Sequence, residues 1–441
     1  MLWRSRTDWY MILPIDENRE ETLGVARRGS DGGHRGNGAV GQPGLMRVMN
    51  LRAAFEIVAA EGPVAATRLV QGTGLSKPTV SEVLRQLLEY GLIARAGRTS
   101  GQVGPSAQLY EVNSASGVVI GVDVGYEWVR VVSADLSGKV IARADERARH
   151  RRARDLIEQV GRLVEQVAGP VGSTTRYLAV VGTPGVLRPG DSHLALAPHL
   201  PGWERPEVVS SLRDLVACPV VFENDVNLAA IGELGRGAGR GVRDFVLVSI
   251  GTGLGMGVVL DGRLHRGASG LAGEVGYLPT AGAERVETAT GPRRGQGAME
   301  RLVSTHAVIE LAKDSGLARA TSAAAVIDAA RAGDPAALRV VATIAARLAY
   351  CIASIAAVLD PELVILGGGI GTGAGPLLLE PLRRNLAAIS PLRPRLGISE
   401  LGSAAVVDGA VTEALRLVVE RIFDVDGPSN PVVVNTQGAA R

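Results

Sequence analysis

The spacing of apolar positions changes along the chain and divides it into regions. Residues 1–44 have no apolar period and are rich in glycine and arginine, which is typical of a disordered extension. Over 45–112, apolar residues recur every three or four positions, as in helices that bury one face. Over 113–423, short runs that are apolar throughout alternate with helical stretches, as in a sheet covered on both faces. Residues 424–441 lose the pattern and are predicted to be a flexible tail.

Three helices are predicted within residues 45–112, followed by two short strands. The first two helices end at glycines. The third begins at Ser76, which we predict as its N-cap, with Pro78 in its first turn. The two strands flank a basic, glycine-containing turn over 95–104. Three helices, a tight turn and a hairpin in this order predict a winged helix-turn-helix domain.

The exposed face of the predicted third helix carries short polar and basic side chains, which suit the edges of bases and the phosphates of DNA. Arginines on the wing could reach phosphates or a minor groove. Residues 45–110 contain seven Lys/Arg and four Asp/Glu, a net charge of +3. The alternative is a helical dimerisation module that does not contact DNA. The predicted DNA-binding residues are Ser76, Lys77, Thr79, Ser81, Arg85, Arg95 and Arg98.

The most distinctive stretch of the chain combines a buried strand with a series of glycines. The apolar run 245–248 is followed by glycines at every second position over 251–257, and Asp261-Gly262 predicts a two-residue hairpin turn. Such glycines free the backbone for positive φ and let its N–H groups approach an anion. The alternative is a glycine-rich hairpin without a ligand, because glycine motifs occur in many contexts.

An earlier segment repeats this order of strand, glycine turn, strand and hairpin turn. It begins with residues 119–125 and ends at Ser137-Gly138-Lys139. An internal repeat of this kind predicts two similar lobes that face each other across a cleft. We expect lobe I at 113–235, completed by a C-terminal helix at about 404–423, and lobe II at 236–403.

Several predicted strands end in polar or glycine-rich segments, where the ligand sites of α/β proteins gather. Asp225 follows one strand and could act as a general base toward a hydroxyl, although an N-cap aspartate is the alternative. Glu274 and Glu300 offer two more carboxylates, although a lone glutamate usually faces solvent. Trp203 either covers lobe I or contacts a ligand.

Composition limits the class of protein. Apolar residues make up 46% of the 441 residues, and the net charge is +2, as in ordinary globular proteins. Two cysteines, Cys218 and Cys351, exclude a disulfide framework and a cysteine-based zinc site. The N-terminus lacks the apolar segment of a signal peptide, and the longest apolar run, 348–359, is too short to span a membrane. We therefore expect a cytoplasmic protein without a membrane partner; Met46 and Met49 are alternative start positions.

Taken together, these motifs resemble the ROK family of repressors, open reading frames and sugar kinases, over residues 45–422. The resemblance implies an α/β protein with an N-terminal winged helix-turn-helix followed by a two-lobed, actin-like sugar-kinase fold. Family members with an N-terminal winged helix are sugar-responsive transcription regulators. The motifs that carry the resemblance are Gly62-Pro63 with Thr73-Gly74-Leu75-Ser76, Asp123-Val124-Gly125, Gly182-Thr183-Pro184-Gly185, Glu223-Asn224-Asp225, Gly251-Thr252-Gly253, Glu274-Val275-Gly276 and Gly367-Gly368-Gly369.

The resemblance also implies roles for individual residues. Asn224 and Asp225 match the family's sugar-contacting and catalytic pair, and Asp225 would be catalytic only in a kinase. Glu274 and Glu300 match its sugar-binding acids, and Tyr277 takes the place of a histidine that touches the sugar. The turns that bind nucleotide in family kinases correspond to Asp123, Gly125, Gly251, Thr252, Gly253, Gly367 and Gly368.

The chain departs from the family pattern at two places. Family kinases follow the first Asp-x-Gly motif with small and basic residues, where this chain has Tyr126, Glu127 and Trp128. Bulk and negative charge at this position argue against ATP. Many members also bind zinc through a histidine and three cysteines. Here these four positions hold Tyr277, Gly291, Arg293 and Ala298, so we expect no metal and no cofactor, and the loop 278–297 needs another scaffold.

Two hypotheses about function follow. The first is a non-enzymatic transcriptional regulator, a repressor of carbohydrate metabolism genes, that binds a sugar effector in its cleft and a pseudo-palindromic operator on double-stranded DNA as a homodimer or a dimer of dimers. Cleft closure around the sugar would then alter the spacing of the DNA-binding domains, which join the lobes through the short segment 112–117. The alternative is an ATP-dependent sugar kinase, alone or combined with DNA binding.

Overall fold

A computed structural model describes residues 43–99, 106–149, 151–169, 175–187, 193–197, 200–280, 295–317 and 320–424. The predicted N-terminal extension and C-terminal tail lie outside these ranges, apart from residues 43, 44 and 424. The chain forms two compact units. One holds the residues up to Ser116 together with those from Leu417 onward, and the other spans residues 117–416.

The first unit contains the predicted helix-turn-helix and its wing. Ser76 caps the third helix, where its hydroxyl accepts a hydrogen bond from the backbone N–H of Thr79 at 3.3 Å. The wing strand is longer than predicted, because Arg95 pairs in register with Tyr110 and so lies in a strand, not in the turn. The elements are α1 (Pro43–Glu61), β1 (Val64–Ala65), α2 (Ala66–Thr73), α3 (Lys77–Glu89), β2 (Ile93–Arg98) and β3 (Gln108–Val112), with strand order β1-β3-β2.

The core of this unit includes residues from the far end of the chain. Phe55 of α1 is fully buried, and its ring lies 5.6 Å from the ring of Phe423, centroid to centroid. Phe423 follows directly on the last helix of the chain, which begins at Ala405 in the second unit. One continuous helix therefore belongs to both units.

The first lobe of the second unit is a five-stranded sheet with helices packed against it. Strands β4, β7 and β8 run parallel, so their carboxyl ends meet at one edge of the sheet. The elements are β4 (Val118–Val124), β5 (Trp128–Asp135), β6 (Val140–Arg147), α4 (Ala153–Ala168), β7 (Arg176–Thr183), α5 (Pro206–Val216), β8 (Val220–Asn224) and α6 (Asp225–Arg236), with strand order β6-β5-β4-β7-β8.

One expectation for this lobe is wrong. The charged run over 143–154 predicts a loop leading into a helix, but its first residues belong to edge strand β6, and the helix starts only at Ala153. An edge strand has one neighbour and can expose charged side chains, so its sequence lacks the apolar run of a central strand.

The second lobe repeats the sheet of the first. When the strands of each lobe are numbered along the chain, both sheets have the spatial order 3-2-1-4-5. This shared order confirms the internal repeat. The elements are β9 (Phe245–Ile250), β10 (Leu254–Leu260), β11 (Arg263–Leu264), α7 (Glu300–Val303), α8 (Thr305–Asp314), α9 (Ala323–Arg331), α10 (Pro335–Leu359), β12 (Leu363–Gly367), α11 (Gly368–Ala374), α12 (Pro376–Ile389), β13 (Arg395–Ile398) and α13 (Ala405–Ile422), with strand order β11-β10-β9-β12-β13.

The sequence over 331–359 predicts one helix, but in the structure Arg331 ends α9 and α10 begins at Pro335. Gly333 adopts a φ of +85°, and Asp334 caps α10 by accepting hydrogen bonds from the N–H groups of Ala336 and Ala337 at 2.8 and 3.0 Å. Helix α10 is the one described helix that is long and apolar enough to cross a membrane by composition. More than half of its most apolar window, 56%, is buried inside lobe II.

The first part of α13 packs closely on lobe I. At Gly409 a Cβ atom would lie 1.8 Å from the carbonyl oxygen of Leu228 in α6, and at Gly121 it would lie 2.8 Å from Val411. Backbone therefore meets backbone where α13 crosses α6, and only glycine fits at such a contact. Helix α13 is consequently packed against β4 and against α6, the helix that follows β8 directly.

Candidate functional site

A cavity of about 160 Å³ lies where the two lobes of the second unit meet. Lobe I contributes Tyr126, Gly185, Asn224, Asp225 and Asn227, and lobe II contributes the glycine turn 251–253 with Glu274, Tyr277 and Glu300. The structure thus brings together all five residues expected to bind sugar.

Asn224 ends β8 and shapes the lobe I side of the cavity. Its Oδ1 accepts hydrogen bonds from the N–H groups of Val226 and Asn227 at 2.9 and 3.2 Å, and its Nδ2 donates to the carbonyl oxygen of Gly185 at 3.3 Å. Asn224 is therefore the N-cap of α6, and the alternative that Asp225 fills this position is wrong. Asp225 is the first residue of α6, where the helix dipole favours an ionised carboxylate.

Glu223 holds Asn224 in place through hydrogen bonds, a role that the sequence analysis did not assign to it. Its Oε1 accepts hydrogen bonds from the N–H of Asn224 and from Nδ2 of Asn227, both at 2.9 Å. Its Oε2 accepts from Nε of Arg266 at 2.6 Å. Glu223 and Asn227 stand beside the Asn-Asp pair at the end of a strand, and this position is the signal that could have found them.

The two acids of lobe II are not solvent-facing. Glu300 is 8% exposed, and its Oε2 accepts a hydrogen bond from the N–H of Leu254 at 3.4 Å. Burial, and with it the nearby carboxylates of Asp225 and Glu300, raises the pKa of Glu274 to about 6. The solvent-facing alternative is therefore wrong for Glu300, and Glu274 is partly buried beside two other acids.

Tyr277 lies in a short 3-10 turn, Val275–Tyr277, directly after Glu274. Its hydroxyl donates a hydrogen bond to the carbonyl oxygen of Gly295 at 2.8 Å. Burial and the neighbouring acids raise the pKa of Tyr277 to about 12, so the hydroxyl keeps its proton. Gly291 and Arg293 lie outside the described residues. Among those described, no three His, Cys, Asp or Glu side chains are grouped as metal ligands.

The predicted nucleotide turns of lobe II lie side by side. A Cβ atom on Gly251 would come within 3.9 Å of the backbone nitrogen of Gly369. Gly368 has a φ of +73°, and a Cβ there would lie 2.5 Å from the carbonyl oxygen of Ile250. The segment 367–369 was expected to be a turn, but it joins β12 directly to α11, and it does not line the described cavity.

Asp123, the acid of the first predicted nucleotide turn, is held by a cation of the chain itself. It is 4% exposed, and its Oδ2 accepts a hydrogen bond from Nη1 of Arg130 at 2.9 Å. Burial raises the pKa of Asp123 to about 7, and the charge of Arg130 opposes the rise. The guanidinium groups of Arg130 and Arg147 lie 5.8 and 4.5 Å from the ring centre of Trp128. Gly125, next to this pair, donates its N–H to the carbonyl oxygen of Trp128 at 2.9 Å.

Trp203 contributes to the core of lobe I and not to the cavity. It is fully buried, and its Nε1 donates a hydrogen bond to Oγ1 of Thr183 at 2.5 Å. The indole N–H is thus satisfied inside the protein. The alternative of a ligand contact at Trp203 is wrong.

The predicted DNA-binding residues form one exposed set on α3 and β2, apart from Thr79, which is half-buried. The hydroxyls of Ser76 and Thr79 lie 2.8 Å apart, and Ser81 donates to the carbonyl oxygen of Lys77 at 3.0 Å. Arg85 makes ion pairs with Glu82 and Glu89 on its own helix. The exposed residues of the set are Ser76, Lys77, Ser81, Arg85, Arg95 and Arg98.

These features define a class of protein. The winged helix-turn-helix unit is typical of regulators, and the duplicated α/β unit, with acids and glycine turns around one cleft, has a sugar-kinase-like fold. The chain belongs to the ROK family, whose family model matches residues 119–395. The model of the IclR helix-turn-helix domain matches residues 54–97.

Relatives of both functional kinds are similar to this chain. A glucokinase from Halalkalibacterium halodurans is 31% identical over 310 residues, which cover 66% of this chain and 92% of the kinase. A xylose repressor from Caldicellulosiruptor bescii is 25% identical over 399 residues, which cover 84% of this chain and 96% of the repressor. The crystal structure of a ROK family transcriptional regulator, a homolog of the E. coli MLC protein, covers 87% of the chain with a TM-score of 0.69 and 20% identity, and so shows the fold alone.

Proposed function

We propose that this protein is a DNA-binding transcriptional repressor that senses a monosaccharide in the cleft of its ROK domain. The helix-turn-helix match and the exposed polar and basic set on α3 support DNA binding. The relative named as a xylose repressor aligns with both units of the chain, whereas the relative named as a glucokinase aligns with 66% of it.

The observation that carries the sugar-binding part is the convergence of Asn224, Asp225, Glu274 and Glu300 on one cavity. Carboxylates accept hydrogen bonds from hydroxyl groups, and an amide side chain can donate or accept them. The cavity volume of about 160 Å³ is below the roughly 300–1,000 Å³ typical of sites for drug-sized ligands. A single sugar ring suits such a site.

The charges of the residues that line the cavity indicate which class of sugar can bind there. The described residues that line the cavity include three carboxylates and no Lys, Arg or His. An anionic ligand would enter without a partner for its charge, at a cost in desolvation and like-charge repulsion. We therefore propose an uncharged sugar as the effector and exclude sugar phosphates and sugar acids.

The kinase remains the second candidate because Asp225 stands at the cavity wall, where a general base would act on a hydroxyl. Two features oppose it. Asp123 is neutralised by Arg130, and Tyr126 lines the cavity at the first glycine turn. We propose that the protein has no phosphoryl-transfer activity, acts in the cytoplasm, and binds a pseudo-palindromic operator as a homodimer.

Calorimetric titration of the full-length protein tests the sensing role. D-xylose and D-glucose are the neutral probes, and D-glucose 6-phosphate and D-glucuronate are the anionic ones. We expect binding of at least one neutral sugar, no heat from either anion, and loss of binding in Asn224→Ala. Binding of an anionic sugar, or of none of the four, would contradict the proposal.

A coupled assay for ADP release with Mg-ATP and the two neutral sugars tests the kinase alternative. We expect no release above the rate without sugar. Turnover that disappears in Asp225→Asn would establish a kinase.

A further inference from the structure

Arg266 joins three parts of the second unit that are far apart in sequence. It follows strand β11, and its guanidinium donates one hydrogen bond to Glu223 at the end of β8, at 2.6 Å, and another to Glu413 of α13, at 3.0 Å. Its own backbone carbonyl accepts the N–H of Ala272 at 3.1 Å. One residue therefore contacts a strand of lobe I, the last helix and a loop of lobe II.

The loop that starts at Arg266 forms part of the cavity wall. Gly270, Ala272, Gly273 and Glu274 all line the cavity. A ligand that draws Glu274 toward Asn224 would move a loop whose first residue is fixed to Glu223 and Glu413. Arg266 therefore contacts both the loop that lines the cavity and Glu223, the residue that holds Asn224 in place.

The charges at this junction are mostly shielded from water. The side chains of Glu223 and Glu413 are 12% and 7% exposed. Burial alone would raise the pKa of Glu413, but hydrogen bonds and charge from Arg416 and Arg266 outweigh burial and hold the pKa below its ordinary value. Glu413 therefore stays ionised while buried and needs its cations, one of which is Arg266, whose side chain is 41% exposed.

Helix α13 continues from Glu413 into the other unit without a break. Arg416 donates two hydrogen bonds to Glu413, at 2.8 and 2.9 Å, and the next residue, Leu417, already belongs to the unit that contains the winged helix. Six residues beyond Leu417 in the chain, Phe423 packs on Phe55 of α1. At about 1.5 Å per residue, the helix spans about 15 Å between Glu413 and Phe423. Helix α13 therefore carries Glu413 of the junction, and directly after its last residue comes Phe423 in the core around Phe55.

We propose that Arg266 is a positioning residue that holds Asn224 in place through Glu223 and transmits the state of the cavity to α13 through Glu413. The sugar-dependent part of this inference rests on the proposed function, and the ligand-free part does not.

Hydrogen exchange of the full-length protein without ligand gives the first test. Arg266→Met removes the charge and keeps the side-chain length. We expect faster amide exchange in two separate segments, 223–228 and 417–423, and a smaller effect in Arg266→Lys, which keeps the charge but loses the planar two-sided geometry. Arg243→Met, which breaks an exposed ion pair with Asp261 in the same lobe, is the control and should leave both segments unchanged.

Exchange that increases only around residue 266, or in one of the two segments, would overturn the inference. If Arg266→Met does not fold, Arg416→Met is compared with Glu413→Gln, which removes the charge that both arginines pair with and leaves the bond from Arg266 to Glu223. In Glu413→Gln we expect faster exchange in 417–423 than in Arg416→Met, and equal exchange there would overturn the transmission to α13.

The second test measures coupling. The DNA probe is the duplex that the wild-type protein enriches from a random-sequence library, and the sugars are D-xylose and D-glucose. We expect the sugar to change the DNA affinity of the wild type by about 5- to 150-fold, and the change to fall below 2-fold in Arg266→Met while sugar still binds. A full response in Arg266→Met would overturn the inference. A wild type that binds neither sugar would overturn the proposed function, and hydrogen exchange would still decide the role of Arg266.

Discussion

The hydroxyl of Tyr277 donates a hydrogen bond to the carbonyl oxygen of Gly295, and this bond joins the turn after Glu274 to the segment that leads to Glu300. The ends of the loop between them are thereby held together by a side chain at the position where zinc-binding relatives are expected to have a histidine. A backbone hydrogen bond from the N–H of Met299 to the carbonyl oxygen of Gly276, at 3.1 Å, joins the same segments, so the phenol is one contribution to the spacing of the two acids of lobe II.

Tyr277→Phe should lower the free energy of unfolding by about 0.5–1.5 kcal/mol, because a partly buried carbonyl loses its donor while the ring stays in place. Urea unfolding followed by circular dichroism measures this change. Tyr350→Phe, at a site that is 61% exposed, is the matched control and should have no effect. Equal stability of the two variants would show that the bond does not hold the loop.

Glu274→Gln should stabilise the protein at pH 7 and do so less at pH 5. The pKa of Glu274 is raised from 4.5 to about 6 by burial, so the folded protein holds this proton more tightly than the unfolded chain does. The contribution of Glu274 to stability therefore falls as pH rises from about 4.5 to about 6, by about 2 kcal/mol. Glutamine has no such dependence.

Urea unfolding at both pH values measures the difference between Glu274→Gln and wild type. Glu380→Gln, in an exposed ion pair with Arg383, is the control and should give a difference that does not change with pH. A difference for Glu274→Gln that is the same at pH 5 and pH 7 would contradict the raised pKa.

The same substitution should separate sugar sensing from DNA binding. Glu274→Gln replaces one carboxylate acceptor of the cavity and keeps the size of the side chain. We expect it to abolish the effect of sugar on DNA affinity, measured by fluorescence anisotropy, and to leave sugar-free binding unchanged. Weaker DNA binding without sugar, or a preserved response, would mean that this site is not the switch.

At pH 9, Arg130→Met should destabilise the protein by up to about 3 kcal/mol, because Asp123, whose pKa is about 7 beside Arg130, is ionised there and would lose its cation. The loss should be smaller at low pH, where Asp123 takes up a proton. The double variant Asp123→Asn with Arg130→Met should recover most of the stability. Arg143→Met, which breaks the more exposed pair with Asp145, should cost no more than about 1 kcal/mol. A loss no larger than this for Arg130→Met would show that the pair does not neutralise a buried charge.

Lys77→Ala and Arg98→Ala should each weaken DNA binding and reduce the slope of log affinity against log salt by about 1, because each removes one phosphate contact. Anisotropy titrations over a range of salt concentrations, with the duplex enriched by the wild type, measure both effects. Lys313→Ala, on the exposed face of α8, is the control. Unchanged titrations for Lys77→Ala and Arg98→Ala would remove both from the contact surface.

Arg85→Ala should have a smaller effect than Lys77→Ala. Its guanidinium already pairs with Glu82 and Glu89, so part of its charge is neutralised before DNA binds.

The enriched duplex itself should be a pseudo-palindrome with half-sites one or two helical turns apart. An asymmetric site would contradict binding by a symmetric dimer.

Features set by neighbouring residues could be read from the sequence. Ser76 followed by Pro78 predicted the start of α3, and Asp261-Gly262 predicted a two-residue hairpin, in which both residues have positive φ and Leu260 pairs with Arg263. The repeat of strand and glycine turn predicted the two lobes. The Asn224-Asp225 pair of the cavity was accessible for the same reason, because it stands at the end of β8, whereas Glu274 and Glu300 were matched through the family resemblance.

Features set by distant residues could not be read in this way. The link from Arg266 to Glu413 joins positions separated by 147 residues, and the contact of Phe55 with Phe423 depends on how the chain returns. The charges of β6 resemble a loop because that strand lies at a sheet edge. Trp203 looked available for a ligand because nothing local shows that Thr183 accepts its N–H.

The packing of Phe423 on Phe55 has a consequence for synthesis. Helix α1 leaves the ribosome before the whole sugar-binding unit, yet the residue that covers its core is made after that unit. A polypeptide that ends just before Leu417 would contain all of the sugar-binding unit but would lack the C-terminal part of the DNA-binding unit. We expect such a product to bind its operator poorly, because the ring that packs on Phe55 is missing from the core of its DNA-binding unit.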